Sequence, residues 1–451
     1  MGNILEKAVG RGIKEAEVFY LDSLHEEVVF ENNMLKTVKK SQNSGAALRI
    51  VKGERMGFVS STNLADADKL LDNAEAITKY SEPKEFGFAK KADCNDVNVK
   101  NDKIWDIPDE KMIEDGYRTV EAIKKYDNEI LTNIKFLREK QKVILQNTNG
   151  VDSSYDKDIL STILTCNLTE GTNLLQCYSV ENGLKEDYDI YQLAEKTIEK
   201  IKLSRNNCSF DSGEKAVIFT PKFLGEALLT LQVGLNGMPV SMGISPLCNK
   251  LGEKIFDERI TIIDDGTMEG GCGSMLFDDE GVPAQRTVLI EDGILKSYIH
   301  SLKSAKKLEQ APTGNAFKRS PIAYSKEIER IPQPSVTNMI MKPGNTKFED
   351  MIADIKDGII IDYLMGIFMN NLMNGDFSGN IGMGYVIKNG KIVGRVKDAA
   401  INANIYEIFN KNLVGLSDSL HSVSPFGDFI SIANHRLPYA MFKDINVTVK
   451  K

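Results

Sequence analysis

Three consecutive acidic residues are the densest group of potential cation ligands in the sequence. Asp278, Asp279 and Glu280 stand between Phe277 and Gly281, and carboxylate oxygens are the ligands that hard cations such as Ca²⁺ prefer. Successive side chains on a strand point to opposite faces, so one cation could not meet all three there. The pattern also fits a charged turn that leads into the next hairpin, and we favour that interpretation.

A second polar group, Thr313-Gly314-Asn315, follows Pro312 and has the composition of a turn. Its hydroxyl and amide groups could contact an extended peptide or an anion, although a plain connection is the simpler interpretation. Together with the acidic triplet, these three residues are our candidates for a peptide-binding cleft.

Histidine and cysteine spacing does not predict a zinc site. No two histidines are four residues apart, so the H-E-x-x-H signature is absent, and no two of the six cysteines form C-x-x-C. We expect reduced, structural thiols. Cys272, which lies between two glycines, would be a nucleophile only if a distant base reached it. The four histidines are His25, His300, His421 and His435.

Composition excludes several classes of protein. The 451 residues are 42% hydrophobic and 27% charged, which is globular, and 56 Lys+Arg against 64 Asp+Glu give a net charge of −8. This balance argues against direct nucleic-acid binding, which needs clustered positive charge. The longest apolar stretch, 358–369, is interrupted by Asp362 and is shorter than the roughly 20 residues of a membrane span. The N-terminus lacks the apolar run of a signal peptide, so we expect a cytoplasmic protein without membrane contact.

The predicted helices and strands that must position these residues indicate an α+β protein. Mixed α/β domains over 1–85 and 106–206 precede a large β-rich C-terminal domain with hairpins over 208–451. In the first domain, 16–21 and 26–31 are predicted strands. In the last, Asp292-Gly293 and Asn389-Gly390 predict two tight hairpins.

A helix over 223–233 is predicted after Pro221, because proline is tolerated in the first helical turn.

The C-terminal part resembles the TldD/PmbA family, also called the modulator of DNA gyrase family. The similar segments are IDDGTM, FDDEGVPAQRTVLIEDGILKSYIHSLKSAKKL and APTGNAF within 263–317, and ENNMLKTVKKSQNSGAALRIVKGERMGFVSST near the N-terminus. The resemblance covers essentially the whole chain. It implies a cytoplasmic two-subunit metalloprotease that encloses unfolded or extended peptides.

The resemblance also implies that the two subunit types differ in their zinc ligands. A TldD-like subunit carries H-E-x-x-x-H on a helix and a cysteine nearer the C-terminus, whereas a PmbA-like (TldE-like) subunit lacks them. Laid on that motif, Glu226 occupies the glutamate position and Gly225 and Thr230 occupy the histidine positions. The region expected to hold the cysteine, 414–429, contains His421 and Asp428 instead. We therefore predict no metal in this chain and zinc in a TldD-like partner.

Without zinc to acidify a water molecule, Glu226 is a poor general base, and we interpret it as structural or as part of the cavity lining.

The first functional hypothesis is a zinc-free subunit that binds a TldD-like partner and an extended peptide. The second is a homodimeric peptide-binding or regulatory protein. The third is an autonomous metallopeptidase that uses Asp278, Asp279, Glu280 and His421.

Overall fold

The structure is a computed structural model that describes residues 2–171, 173–318, 327–367, 370–424 and 434–450. The described residues form three large sheets, a two-stranded pair and the helices that pack on them. Strands dominate the C-terminal half, and the predicted α+β class is confirmed.

The first sheet, which we call the N-terminal sheet, has the strand order β3-β2-β1-β4-β5-β6. Strands β1 and β4 are antiparallel neighbours from the pair Glu17–Asn147 to the pair Phe30–Ile134. The two predicted N-terminal domains therefore share one sheet, and their division stays a prediction. The strands are β1 (Glu15–Glu31), β2 (Met34–Lys52), β3 (Arg55–Ser61), β4 (Leu131–Asn147), β5 (Asp152–Glu170) and β6 (Asn173–Gly183).

Strand β1 is continuous where the sequence predicted two strands with a break over 22–25. The polar residues of that stretch pair on both sides: His25 lies opposite Ser41 of β2 and opposite Glu139 of β4. The prediction of a break was wrong, because pairing on both edges satisfies a polar backbone that local propensity places in a loop.

Four helices accompany the N-terminal sheet. Helices α3 and α4 pack against each other and on the sheet. Their apolar sides share a core with residues of the N-terminal sheet, such as Ile134, and of the largest sheet, such as Ile360. The helices are α1 (Gly2–Gly10), α2 (Ala67–Thr78), α3 (Asp109–Tyr126) and α4 (Ile190–Ser204).

The largest sheet has the order β15-β8-β22-β18-β16-β17-β7, and β19 pairs with β22. An additional pairing of β15 with β16 closes five of these strands into a ring. The strands are β7 (Asn207–Cys208), β8 (Gly213–Phe219), β15 (Asp357–Met365), β16 (Asp376–Lys388), β17 (Lys391–Val396), β18 (Ala399–Asn404), β19 (Leu413–Leu416) and β22 (Ala440–Val449).

The third sheet has the order β11-β10-β9-β14-β21-β20, and β12 pairs with β13 beside it. These strands are β9 (Ile262–Asp265), β10 (Arg286–Glu291), β11 (Ile294–Leu295), β12 (Ala316–Phe317), β13 (Gln333–Pro334), β14 (Met339–Met341), β20 (His421–Val423) and β21 (His435–Leu437).

Both predicted hairpins are confirmed. The turn residues Asp292 and Gly293 have φ values of 49° and 77°, and Asn389 and Gly390 have 49° and 73°. Two consecutive positive φ values define the tight turn whose twist matches that of the flanking strands.

Helix α5 (Pro221–Leu235) lies in the centre of the largest hydrophobic cluster and confirms the helix predicted after Pro221. Its neighbours in the chain are short: α6 (Gly237–Ser241), α7 (Leu302–Lys307), α8 (Phe348–Ala353) and α9 (Ile405–Glu407). Within the part of the chain that the structure describes, no helix combines the length and the apolar character needed to cross a membrane.

Candidate functional site: a buried polar cluster on helix α5

The sequence explains where helix α5 begins. Thr220 caps it, because the threonine hydroxyl oxygen accepts a hydrogen bond of 3.3 Å from the backbone N–H of Phe223. Pro221 follows at the first helical position, where a missing N–H costs nothing. The helix is buried almost all round, so each polar side chain on it needs a partner inside the protein.

The two outer positions of the aligned zinc motif offer no ligand. Gly225 has no side chain, and the hydroxyl of Thr230 donates a 2.8 Å hydrogen bond to the carbonyl oxygen of Ala227. Thr230 is fully buried. Its hydroxyl is therefore occupied within the helix.

Glu226 lies between these positions and is only 5% exposed. Its Oε1 accepts a hydrogen bond of 3.3 Å from the hydroxyl of Tyr178, and its Oε2 has no hydrogen-bond partner among the described residues. Burial raises the pKa of Glu226 to about 8, although the nearby ammonium of Lys222 acts in the opposite direction. The carboxyl group therefore holds a proton at neutral pH.

Lys222 lies one helical turn before Glu226, so the two side chains share a face of α5. Its Nζ lies 3.3 Å from the centroid of the Tyr178 ring and 3.7 Å from Oδ2 of Asp362. Burial lowers the pKa of Lys222, and the charge of Asp362 counteracts this effect.

Asp362 lies on β15 and forms an ion pair with a second lysine, Lys200. Lys200 Nζ lies 3.0 Å from Asp362 Oδ2. Burial acts to raise the pKa of Asp362, but the ammonium groups of Lys200 and Lys222 overcome this effect and hold the pKa well below its ordinary value. We call these residues, Tyr178, Lys200, Lys222, Glu226 and Asp362, the α5 cluster.

The acidic triplet lies elsewhere and bonds mainly to backbone groups. Asp278 is buried, and its carboxylate accepts from the N–H groups of Glu280, Val282 and Ala316 at 2.9–3.0 Å. Half-buried Asp279 accepts a 2.7 Å bond from the N–H of Lys318.

Glu280 joins the C-terminal part of the chain to the N-terminal sheet. Its Oε1 lies 3.0 Å from Nη1 of Arg49, and its Oε2 accepts a 2.7 Å bond from the N–H of Leu302. Arg49 also binds Oε1 of Glu17 through Nη2 at 2.5 Å. All three ionic side chains are buried. They form an internal ion network, which we call the Arg49 network.

The predicted polar turn is also buried. The hydroxyl of Thr313 accepts a 2.8 Å bond from the N–H of His300, and the amide of Asn315 donates to Asp264 at 2.7 Å and to the carbonyl of Ser335 at 3.1 Å. Gly314 has a φ of 66°, and a side chain there would meet the carbonyl oxygen of Pro283. The side chains of Thr313 and Asn315 thus hold the loop in place, and their predicted contact with a peptide stays a prediction.

Two models of known families match this chain. The PmbA/TldA metallopeptidase C-terminal domain matches residues 212–449, more than half of the chain, and PmbA/TldA metallopeptidase domain 1 matches residues 16–78. This chain belongs to the PmbA/TldD family.

Relatives in this family match over most of their length. An uncharacterized protein of Methanocaldococcus jannaschii is 28% identical in an alignment of 422 residues that covers 92% of this chain and 95% of that protein. A metalloprotease TldD homolog of Buchnera aphidicola is 24% identical in an alignment of 445 residues that covers 91% of this chain and 87% of that protein. The crystal structure of TldE from Thermococcus kodakarensis has the same fold, with a TM-score of 0.87 and 20% identity over 99% of both chains.

The α5 cluster of this PmbA/TldD family member does not fit a zinc ion. Zinc takes nitrogen, sulfur or carboxylate donors. Gly225 provides none and the Thr230 hydroxyl is engaged, so Glu226, beside Lys222, is the one donor left at the aligned motif positions. Over the described residues, no group of three or more His, Cys, Asp or Glu side chains is arranged to hold a metal.

The other residues considered as metal ligands or as a nucleophile do not come together in one site. His421 is exposed on β20, with Nε2 3.3 Å from the hydroxyl of Ser419, and it forms no metal-binding group with the acidic triplet. Asp428 lies outside the described residues. Cys272 is fully buried, and burial raises the pKa of its thiol to about 11, which contradicts an exposed nucleophile.

Sequence reasoning identified Glu226 but missed the other four members of the α5 cluster. Two of these four residues could have been recognised from their positions in the sequence. Lys222 stands four residues before Glu226, and Asp362 is the charge that interrupts the apolar stretch 358–369. Tyr178 and Lys200 reach the cluster from β6 and α4, and nothing local distinguishes them.

Proposed function

We propose that this chain is the zinc-free, PmbA/TldE-like subunit of a cytoplasmic TldD/PmbA-type metalloprotease complex that processes or degrades unfolded peptides. A TldD-like subunit supplies the zinc and the bond-breaking chemistry. This chain supplies partner binding and encloses the substrate.

The chemistry of α5 is the observation that carries this proposal. Peptide hydrolysis by a metalloprotease requires a water molecule acidified by the metal and a carboxylate that takes its proton. Here Gly225 and Thr230 cannot hold the metal, and the protonated Glu226 carboxyl cannot accept a proton. Lys222 adds a positive charge on the same helical face and disfavours a cation further.

The names of the relatives support a two-subunit arrangement. A metalloprotease TldD homolog and a TldE are both similar to this chain over most of their length. The net charge of −8 favours a protein or peptide partner over a nucleic acid.

Co-expression with the TldD-like chain of the same organism tests the proposal. Cleavage of an unstructured fluorogenic peptide is measured for each chain alone and for the purified pair. We expect a stable pair that cleaves the peptide and no cleavage by this chain alone. The control is a pair whose TldD-like chain has its motif glutamate changed to glutamine, and it should be inactive.

Two results would contradict the proposal. Cleavage by this chain alone that is lost in Glu226→Ala would make it an autonomous peptidase. A homodimer that binds peptide and ignores the TldD-like chain would favour the regulatory alternative.

A further inference from the structure

One side of the α5 cluster reaches the surface of the protein. The side chain of Lys200 is 28% exposed and that of Lys222 is 17% exposed, whereas Glu226 and Asp362 are each 5% exposed. The centroid of the half-buried Tyr363 ring lies 5.4 Å from Nζ of Lys222. The two lysines are therefore accessible from solvent, while the two acidic residues lie deeper.

Positive charge exceeds negative charge in the cluster. Lys200 and Lys222 share one carboxylate, that of Asp362, and over the described ranges neither ammonium group has a second ion-pair partner. Glu226 does not supply the missing charge, because burial raises its pKa to about 8 and the carboxyl group is neutral at pH 7. One positive charge thus has no counter-charge, and a partly buried charge without a partner is unfavourable.

A third cation adds to this excess. The thiol of Cys177 on β6 lies near both lysines of the cluster and near Arg395 of β17: burial raises its pKa to about 11, and these three positive charges oppose the rise. The guanidinium of Arg395 bonds to neutral oxygen atoms, the side-chain oxygen of Asn173 and the carbonyl oxygen of Gly382, both at 3.2 Å. The electrostatic potential beside β6 therefore attracts an anion.

The unused oxygen of Glu226 indicates which anion fits. Its Oε1 accepts a hydrogen bond from the Tyr178 hydroxyl, so the proton of the neutral carboxyl group belongs on Oε2, which has no partner among the residues described. A buried donor without an acceptor is rare in proteins. Because Lys222 shares this face of α5, the two side chains offer one neutral and one charged donor, which suits the two oxygens of a carboxylate.

We propose that the α5 cluster binds the C-terminal carboxylate of a peptide, with Lys222 and the free oxygen of Glu226 as the donors to its two oxygens. Capture of a terminal carboxylate is one of the recurring modes of peptide recognition. The rings of Tyr178 and Tyr363, whose centroids are 5.9 Å apart, provide apolar surface for the residue that carries the carboxylate. This inference rests on the proposed function and assigns the end of the peptide a place in this chain.

Two forms of one peptide isolate the carboxylate. The probe is an unstructured peptide labelled with fluorescein at its N-terminus, prepared with a free C-terminal carboxylate and with a C-terminal amide. Fluorescence anisotropy measures the binding of both forms to the full chain. Lys222→Met removes the ammonium group and keeps an apolar stem of similar length. Lys250→Met makes the same change at an exposed lysine outside the cluster and is the matched control.

We expect the amide form to bind about tenfold more weakly than the acid form, since one charge-assisted hydrogen bond is lost. In Lys222→Met the two forms should bind equally, and in Lys250→Met the preference for the acid should be unchanged. Acetate should displace the acid form only in large excess, because it lacks the rest of the peptide. If Lys222→Met melts at a clearly lower temperature, Lys222→Gln, which keeps a polar group, replaces it.

Equal affinities of the acid and amide forms for the unsubstituted chain would overturn the inference, and so would a preference for the acid that survives in Lys222→Met. No measurable binding of either form would also overturn it. Displacement of the acid form by acetate at the peptide's own concentration would leave an adventitious ion only and would overturn the assignment to a peptide.

Pairing with the TldD-like chain separates this inference from the proposed function. A pair that cleaves peptides normally, while this chain does not distinguish acid from amide, refutes the carboxylate site and leaves the proposed function standing. A preference for the acid in a chain that forms no active pair refutes the proposed function alone.

Discussion

Arg49 and Glu280 lie 231 positions apart in the sequence and form a buried ion pair, with Nη1 and Oε1 3.0 Å apart. Arg49 extends from β2, and Glu280 ends the acidic triplet that first looked like a cation site. The arginine itself is the cation that this carboxylate meets. The pair, with Glu17 beside it, fixes the N-terminal sheet to the C-terminal part of the chain.

Glu280→Gln should lower the free energy of unfolding by about 3 kcal/mol, because removing one partner leaves a buried charge poorly compensated. Urea denaturation followed by circular dichroism measures the change. As a control, Glu253→Gln breaks the exposed pair with Lys250 and should change the free energy by about 0.5 kcal/mol or less. Equal effects of the two substitutions would mean that the Arg49 network contributes no more to the free energy of unfolding than an exposed ion pair does.

The raised pKa of Glu226 predicts a pH-dependent stability. Its carboxyl group has a pKa of about 8 in the folded chain and near 4.5 when exposed, so the native state binds more protons between these values. The free energy of unfolding should therefore fall as pH rises through this window, by up to about 1.4 kcal/mol for each pH unit. Glu226→Gln should remove this part of the slope and cost little at pH 5, where glutamine resembles the protonated carboxyl group. Parallel stability curves for the two proteins would contradict the protonated state.

Asp362→Asn should lower the free energy of unfolding by about 3 kcal/mol, because two half-buried ammonium groups, Lys200 and Lys222, lose their carboxylate. Asp362 also raises the pKa of Glu226, so this pKa should be lower in the variant and the pH-dependent decline in stability should end at lower pH. Asp357→Asn on the same strand is the matched control, since its pairs with Lys215 and Lys388 are partly exposed and should contribute about 1 kcal/mol or less. A larger loss at position 357 than at position 362 would count against the α5 cluster.

Local chemistry made part of the fold predictable. The Asp292-Gly293 and Asn389-Gly390 turns and the start of α5 at Pro221 each depend on residues within a few positions, and each prediction was confirmed. The continuity of β1 was missed because it depends on β4, whose partner residues are more than a hundred positions away.

The candidate site was likewise predictable only where it depends on residues that are close in the sequence. The motif alignment located Glu226 on a helix, because that relation is local. Its partners Tyr178 and Lys200 come from β6 and α4, and only the assembled fold brings them to the same place. The acidic triplet looked like a ligand group because a sequence does not show that Asp278 accepts backbone N–H bonds and that Glu280 meets Arg49.

Zinc content per subunit tests the zinc-free role most directly. Native mass spectrometry of the purified pair with a TldD-like chain, and of each subunit after dissociation, measures how many zinc ions each chain carries. We expect one zinc ion that stays with the TldD-like chain, and no zinc on this chain even after zinc is added. A stoichiometric zinc ion on this chain that is lost on substitution of Glu226 would contradict the assignment.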